Sequence, residues 1–139
     1  MNDTLPKKVT DVMLQNDAFS KWLGIDRVFD GTGSSVIKMV VRKEMLNGFD
    51  ILHGGVSFSL ADSALAFAAN SYGVQSVSIE NTIHYHLPAK EGDELTARAS
   101  ETSKSNKLAV YEVVVTNQKN EKVASFKGTV YRTKKQWNV

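Results

Sequence analysis

One carboxylate within an otherwise apolar helical stretch is the feature that most constrains this chain. Residues 54–70 are rich in Ala and Leu, a pattern typical of a helix that is apolar on nearly every side and therefore buried. Its ionisable residue is Asp62, and no Lys or Arg occurs between Glu44 and Ala89. Burying an unpaired carboxylate is costly. The fold must therefore give Asp62 polar partners or use its charge in chemistry.

A polar loop with glycines leads into this helix. Gly54 and Gly55 let a ligand approach the first helical turn closely, where free backbone N–H groups and the helix dipole favour negative charge. These are the elements of an oxyanion hole. A glycine pair before a helix can also serve a simple turn, so the residues alone leave both interpretations open.

Composition excludes several classes of protein. The 139 residues fit one domain, 1–139, and 17 Lys plus Arg against 15 Asp plus Glu give a charge of only +2. We therefore expect no nucleic-acid partner and no membrane association. The absence of cysteine excludes disulfides and thiolate catalysis. The N-terminus has no signal-peptide pattern, so we expect a cytoplasmic protein.

The order of elements predicts an α+β domain with an antiparallel sheet packed against one long helix. Residues 1–24 are expected to form one or two short helices that end at Gly24. Residues 25–30 and 34–41 should form a hairpin, and the long helix should end at Gly73. The later predicted strands are 74–87, 93–103, 108–118 and 122–132. We expect the basic tail, 133–139, to be frayed.

The first strand after the long helix alternates cleanly between apolar and polar residues. The face predicted to lie against the helix carries Val77, Ile79, Asn81, Ile83, Tyr85 and Leu87. The other face carries Ser76, Ser78, Glu80, Thr82, His84 and His86. A His-x-His pair could bind zinc, but a third well-spaced ligand is not evident. We therefore predict a polar or interface surface and no metal.

Several motifs together resemble the hot-dog-fold acyl-CoA thioesterases of the PaaI-like (phenylacetic acid degradation) group. They are Asn47, His53-Gly54-Gly55, Leu60-Ala61-Asp62, Asn70, Leu87-Pro88-Ala89 and Gly92-Asp93. The resemblance implies a curled antiparallel sheet wrapped around one long central helix. It also implies a homodimer or homotetramer with active sites at a subunit interface. The substrate would be an acyl-CoA, with no cofactor apart from the CoA within the substrate.

The resemblance also implies roles for particular residues. Asp62 would act as a general base on water or as a nucleophile on the thioester carbonyl, and both remain open. Gly54 would polarise the thioester oxygen through its backbone N–H, and Asn47 would assist. The implied substrate-binding residues are His53, Gly55 and Ser78.

Two of these residues have simpler interpretations. His53 could pair with Asp62 as an acid and base, or its imidazole could hydrogen-bond the loop and shape the glycine turn. Ser78 could assist the water, although a serine on a polar strand face often has no special role.

Other functions fit the same fold. One is an acyl-CoA hydratase or dehydratase that uses His53 and Asp62 on the β-carbon. Another is a non-catalytic acyl-CoA-binding module. In each case basic residues could meet the CoA phosphates, and the candidates are Arg98, Lys104 and Lys107. The residues do not define the acyl group.

Overall fold

A computed structural model describes residues 3–139 and contains three α-helices and six strands among them. The helices are α1 (Leu5–Gln15), α2 (Ala18–Leu23) and α3 (Gly54–Asn70). The strands are β1 (Asp26–Gly31), β2 (Ser34–Val40), β3 (Val74–Tyr85), β4 (Glu94–Lys104), β5 (Leu108–Thr116) and β6 (Lys122–Gln136). A short 3-10 turn, Lys43–Met45, precedes the loop that leads into α3.

The six strands form one antiparallel sheet in the order β1-β2-β4-β5-β6-β3. Helix α3 contacts all six strands, so the sheet curls around it. Leu60, Ala61, Ala64, Leu65 and Ala68 have no exposed surface, because the apolar helix is covered on nearly every side. The predicted hot-dog architecture, an α+β fold with a central helix, is confirmed.

The N-terminal helices pack against the start of the fold. Thr4 caps α1 and Asp17 caps α2 through side-chain oxygens that accept backbone N–H bonds. Helix α2 ends at Gly24, which is left-handed (φ 74°). Val9 and Leu23 are fully buried, since α1 packs on α3 and β1 and α2 packs on α3. Within residues 3–139, no helix is both long and apolar enough to span a bilayer.

The expected alternation along β3 is wrong at its N-terminal half. Ser78 pairs with Val130 and Glu80 with the adjacent Thr129, so Ile79 is an extra residue, a β-bulge. Such an insertion exchanges the two faces of a strand. Val77 and Ile79, predicted to face the helix, are instead 55% and 58% exposed.

The expected frayed tail at 133–139 is also wrong. Strand β6 continues to Gln136, and the Trp137 N–H donates to the Gly73 carbonyl at 2.8 Å. The Trp137 indole donates to Asn70 Oδ1, also at 2.8 Å. Asn70 further bonds both backbone groups of Ser76, and so joins the end of α3 to β3 and to the tail. These partners lie far from the tail in sequence, so its composition did not reveal them.

We expect the loss of the Asn70 side chain to destabilise the fold more than the loss of its single bond to the tail residue Trp137. Trp137→Phe keeps an aromatic side chain but removes the indole N–H that bonds Asn70, so it should cost about 1 kcal/mol of unfolding free energy. Asn70→Ala removes several hydrogen bonds at once, among them those with the partly buried N–H and carbonyl of Ser76 and with the Trp137 indole, and should cost roughly 3 kcal/mol. Urea unfolding of both variants measures the difference. Equal losses would contradict the role given to the Asn70 amide.

Candidate active site

Asp62 lies half-buried near the middle of α3, with polar partners supplied by β3. Its Oδ1 atom accepts hydrogen bonds from Ser78 Oγ at 3.3 Å and Asn81 Nδ2 at 3.1 Å. Its Oδ2 atom accepts none from the described residues, and no cation there forms an ion pair with it. Burial raises the pKa of the Asp62 carboxyl above its usual value, the two hydrogen bonds oppose that rise, and the charge of Asp17 adds to it.

The bulge in β3 explains how two strand residues three positions apart reach the same oxygen. Ser78 precedes the extra residue Ile79, and Asn81 follows it. In a regular strand they would lie on opposite faces. The structure therefore brings the predicted residue Ser78 to Asp62 and adds Asn81, which sequence analysis did not place in the site. The available signal was that Asn81 is the polar member of the predicted apolar face.

The start of α3 is shaped by His53, which is its N-cap. Nδ1 of His53 accepts the Gly55 N–H at 2.9 Å. That bond occupies the Gly55 donor, whereas the Gly54 N–H has no partner among the described residues. The geometry therefore favours the loop-shaping interpretation of His53, and it leaves Gly54 as the available donor at this helix end.

Tyr85 fixes the other side of Gly54. Its hydroxyl donates to the Gly54 carbonyl at 2.8 Å. A Cβ atom at position 54 would lie only 2.8 Å from that hydroxyl oxygen, so a larger residue there would displace the Tyr85 ring. Tyr85 was predicted only as a member of the apolar strand face. The structure places Tyr85 beside Gly54, whose N–H is the free donor.

A cavity of about 420 Å³ opens at this helix start, lined by Asn47, Gly54 and Tyr85 together with apolar residues such as Ile51, Leu87 and Pro88. The Asn47 side-chain oxygen accepts the Phe49 N–H at 2.8 Å, which shapes the loop. Its amide N–H groups have no partner among the described residues. Two donors, from Asn47 and Gly54, are thus available to an oxygen atom in the cavity.

The residues that the structure brings together form two separate groups. The first, the cavity half-site, comprises Asn47, Gly54 and Tyr85. The second, the Asp62 half-site, comprises Asp62, Ser78 and Asn81. Gly54 and Asp62 are eight residues apart on one helix, which corresponds to roughly 12 Å along its axis. Within one chain, the Asp62 carboxylate is therefore too far away to act on an atom held by the Gly54 N–H.

The two strand histidines lie side by side, and His86 also lines the cavity at the start of α3. The rings of His84 and His86 lie 4.6 Å apart, and His86 Nε2 shares a hydrogen bond with Ser125 Oγ at 2.8 Å. In the part of the chain that the structure describes, no three acidic or histidine side chains are grouped to hold a metal. The absence of a metal stays a prediction.

Two of the three basic residues considered for the CoA phosphates have partners elsewhere. Arg98 donates to Thr116, and the Lys104 ammonium lies 4.7 Å from the centre of the Tyr72 ring. Neither these two residues nor Lys107 lines the cavity at the start of α3. The position of the cavity therefore gives no support to a phosphate-binding role for these three residues.

Comparison with known proteins gives one consistent family. The sequence profile of the thioesterase superfamily matches residues 49–124. The chain is 42% identical over 120 residues to the acyl-coenzyme A thioesterase PaaI of Escherichia coli, covering 86% of each protein. It is also similar to the structure of the E. coli PaaI protein from the phenylacetic acid degradation operon. That match has a TM-score of 0.94 and 37% identity, and it covers 96% of this chain and 97% of the other.

A further similar structure is a hypothetical thioesterase with coenzyme A from Streptococcus pneumoniae, with a TM-score of 0.84 and 25% identity over 94% of this chain and 99% of the other. Its helix and sheet arrangement agrees with the fold described above. The profile match, the similar relative and the shared architecture lead to one conclusion. This chain belongs to the thioesterase superfamily and is a PaaI-like acyl-CoA thioesterase.

Proposed function

We propose that this enzyme hydrolyses its thioester at a site shared between two subunits. The cavity half-site of one subunit holds the carbonyl oxygen between the Gly54 N–H and the Asn47 amide. The Asp62 half-site of the partner subunit acts on the attacking water. The observation that carries this proposal is the separation of roughly 12 Å along α3 between the two groups. A single chain contains both halves but does not bring them together.

The position of β3 supports this pairing. It is an edge strand of 12 residues, and an unpaired edge is a ready template for another strand. The exposed side chains of Val77 and Ile79 lie on it, next to Ser78 of the Asp62 half-site. Association of two β3 strands would bury this apolar surface and place Asp62 near the interface. We infer a homodimer as the minimal active unit, with a homotetramer as the larger assembly.

The chemistry follows from the two half-sites. The Gly54 N–H stabilises the negative charge that develops on the carbonyl oxygen. As the water oxygen bonds to the carbonyl carbon, its proton passes to Asp62. The carbon–sulfur bond then breaks with its electron pair on sulfur, which releases the acid and CoA. A thiolate leaves readily, so the proposal requires no cofactor. Direct attack by the Asp62 carboxylate is the other route, and the free Oδ2 atom serves either.

For the substrate we propose phenylacetyl-CoA or a hydroxylated aryl relative. The support is the similarity to PaaI and the largely apolar lining of the cavity, to which Ile51, Leu87 and Pro88 contribute. A place in phenylacetate catabolism in the cytoplasm belongs to the same proposal. The dehydratase alternative loses support because His53 Nδ1 is engaged with the Gly55 N–H.

Asp62→Asn should leave the fold intact and lower kcat by a factor on the order of 10² to 10⁴, because an amide can act neither as base nor as nucleophile. The release of the CoA thiol from phenylacetyl-CoA measures kcat, and straight-chain acyl-CoAs are tested in parallel. The protein has no cysteine, so a thiol reagent detects only released CoA.

The matched control is His53→Ala, which removes a capping acceptor and should cost less activity than Asp62→Asn. A folded His53→Ala protein that is the less active of the two would reverse the assigned roles. Hydration of crotonyl-CoA without thiol release would indicate the dehydratase.

The rate should depend on pH through the ionisation of Asp62. Burial raises the pKa of this carboxyl, and only its ionised form can accept a proton or attack. The value of kcat should therefore be low below that pKa and rise to a plateau above it, with the acid limb centred above the ordinary value of about 3.9. Loss of thioester absorbance is the suitable signal, because thiol reagents react slowly in acid. A limb centred at or below the ordinary value would contradict this assignment.

Gly54→Pro should abolish most activity, since it removes the proposed oxyanion donor while suiting the first position of a helix. His53 already has the extended conformation (φ −60°, ψ 130°) that a following proline requires. The expected loss in kcat is about 10² to 10³. Gly54→Ala is the matched control, because it places the same Cβ against Tyr85 but keeps the N–H, and it should be clearly more active.

The same variant tests whether the site is shared. Subunits of Gly54→Pro and Asp62→Asn, unfolded and refolded together, should form hybrids in which one of the two sites has both groups intact. Random mixing should then restore roughly a quarter of the wild-type rate. Refolded mixtures no more active than either variant alone would show that each site lies within one chain.

A further inference from the structure

The side chain of Asn81 is held in a way that its packing alone does not explain. Its Nδ2 atom donates to Asp62 Oδ1 at 3.1 Å, but its own carbonyl oxygen is buried and has no partner. An unsatisfied buried carbonyl is destabilising. The Asn81 amide therefore destabilises the fold through its carbonyl, and the interaction that it provides in return is the hydrogen bond to Asp62.

The opposing strand is adapted to this side chain. Gly128 on β6 lies directly opposite Asn81 in the register. A Cβ atom at position 128 would collide with both Asn81 Oδ1 and Leu65 Cδ1. The absent side chain makes the room in which the Asn81 carbonyl sits. Space has been left there for an amide, although no described residue donates a hydrogen bond to its oxygen.

The orientation of the amide is fixed by the same surroundings. If it were reversed, its carbonyl would face the Asp62 carboxylate, and its N–H groups would be buried without an acceptor. Only the observed orientation gives the carboxylate a donor. Ser78 donates to the same oxygen, Oδ1. Both bonds therefore fall on one atom of Asp62, and Oδ2 is left without a protein partner in the described chain.

We propose that Asn81 is a positioning residue for the hydrolysis: together with Ser78 it holds Oδ1 of Asp62, so that Oδ2 is the oxygen presented to the reaction. This inference rests on the catalytic role proposed for Asp62. Asn81 does not line the cavity of the carbonyl-binding half-site. It acts through Asp62, and it should affect turnover rather than binding of the acyl-CoA.

The charge near Asp62 explains why the Asn81 N–H donor is important for the ionisation of this carboxyl. The charged group that acts on it is Asp17, the N-cap of α2, and its negative charge favours the neutral carboxyl. From β3 the facing groups are the uncharged Ser78 and Asn81. Ser63, the next residue on α3, bonds Ser20 of α2 and supplies no charge. The two β3 donors are thus the groups that favour the ionised, reactive form.

The test is the pH dependence of kcat in Asn81→Ala. Loss of the donor should lower kcat roughly tenfold by freeing the carboxylate to turn. It should also move the acid limb upward by about one pH unit, since the ionised form loses a hydrogen bond. KM should stay unchanged, and thermal stability should not fall, because the unpaired carbonyl is removed too. A purely structural asparagine would lower stability and leave the acid limb in place.

Asn81→Asp is the second variant, because it keeps the shape and adds a carboxyl beside Asp62. Two neighbouring carboxyls resist losing both protons, so its acid limb should move further upward than that of Asn81→Ala. Thr82→Ala is the control on the same strand. Thr82 is exposed and pairs with Lys127, and its removal should change neither kcat nor the limb.

The outcomes separate this inference from the function on which it rests. An Asp62→Asn protein with near-normal turnover would overturn the role of Asp62 itself. Suppose instead that Asp62→Asn is inactive while Asn81→Ala keeps the wild-type kcat and the wild-type pH dependence of kcat. That result would overturn only the positioning role. Failure of both position 81 variants to fold would assign Asn81 to the structure and equally defeat the proposal.

Discussion

Enclosure of α3 by the sheet is the constraint on which the rest of the molecule depends. A helix that is apolar on nearly every side is stable only when protein surrounds it, and here all six strands contact it. The enclosure also sets the chemistry. It desolvates Asp62 near the middle of the helix and leaves the helix start open to a cavity. Both halves of the proposed site are therefore consequences of how one helix is covered.

The same helix is the reason for proposing that the site includes a second subunit. A straight helix holds two of its residues at a fixed separation, so Gly54 and Asp62 cannot be brought together by a local rearrangement. In the proposed mechanism, another copy of the chain supplies the missing half. The edge strand β3 carries the partners of Asp62, so an association through that strand would place the carboxylate near the interface. Assembly and catalysis are then linked by the position of one strand.

Much of the fold could be predicted from the sequence, because its signals are local. The apolar run of 54–70, the turn glycines and the strand periods are readable over short windows. Asp62 was conspicuous as a carboxylate without nearby cations, and Gly54 and Gly55 as a glycine pair before a helix. The distinction between the two glycines was not readable, since it depends on the bond from His53 to the Gly55 N–H.

The features that were missed depend on register and on distant partners. A single bulged residue, Ile79, leaves the sequence pattern looking regular while it exchanges the faces of the strand. Trp137 looked like part of a basic tail because its acceptors, Asn70 and Gly73, lie more than 60 residues earlier. In both cases the structure depends on which strand or helix end lies opposite the segment. The periodicity of the segment itself does not reveal that partner.

The bulge also shows how structural cost and reactivity are connected in this site. It turns Ser78 and Asn81 toward one carboxylate oxygen, but it exposes Val77 and Ile79 and leaves the Asn81 carbonyl buried without a partner. A regular strand would avoid these costs, yet it could direct only one of the two donors at Asp62. Burial alone would favour a neutral carboxyl, which can neither accept a proton nor attack a carbonyl. Two donors on Oδ1 counter that effect while leaving Oδ2 without a partner among the described residues. In the proposed mechanism, the irregular strand thereby keeps a desolvated carboxylate available for the reaction.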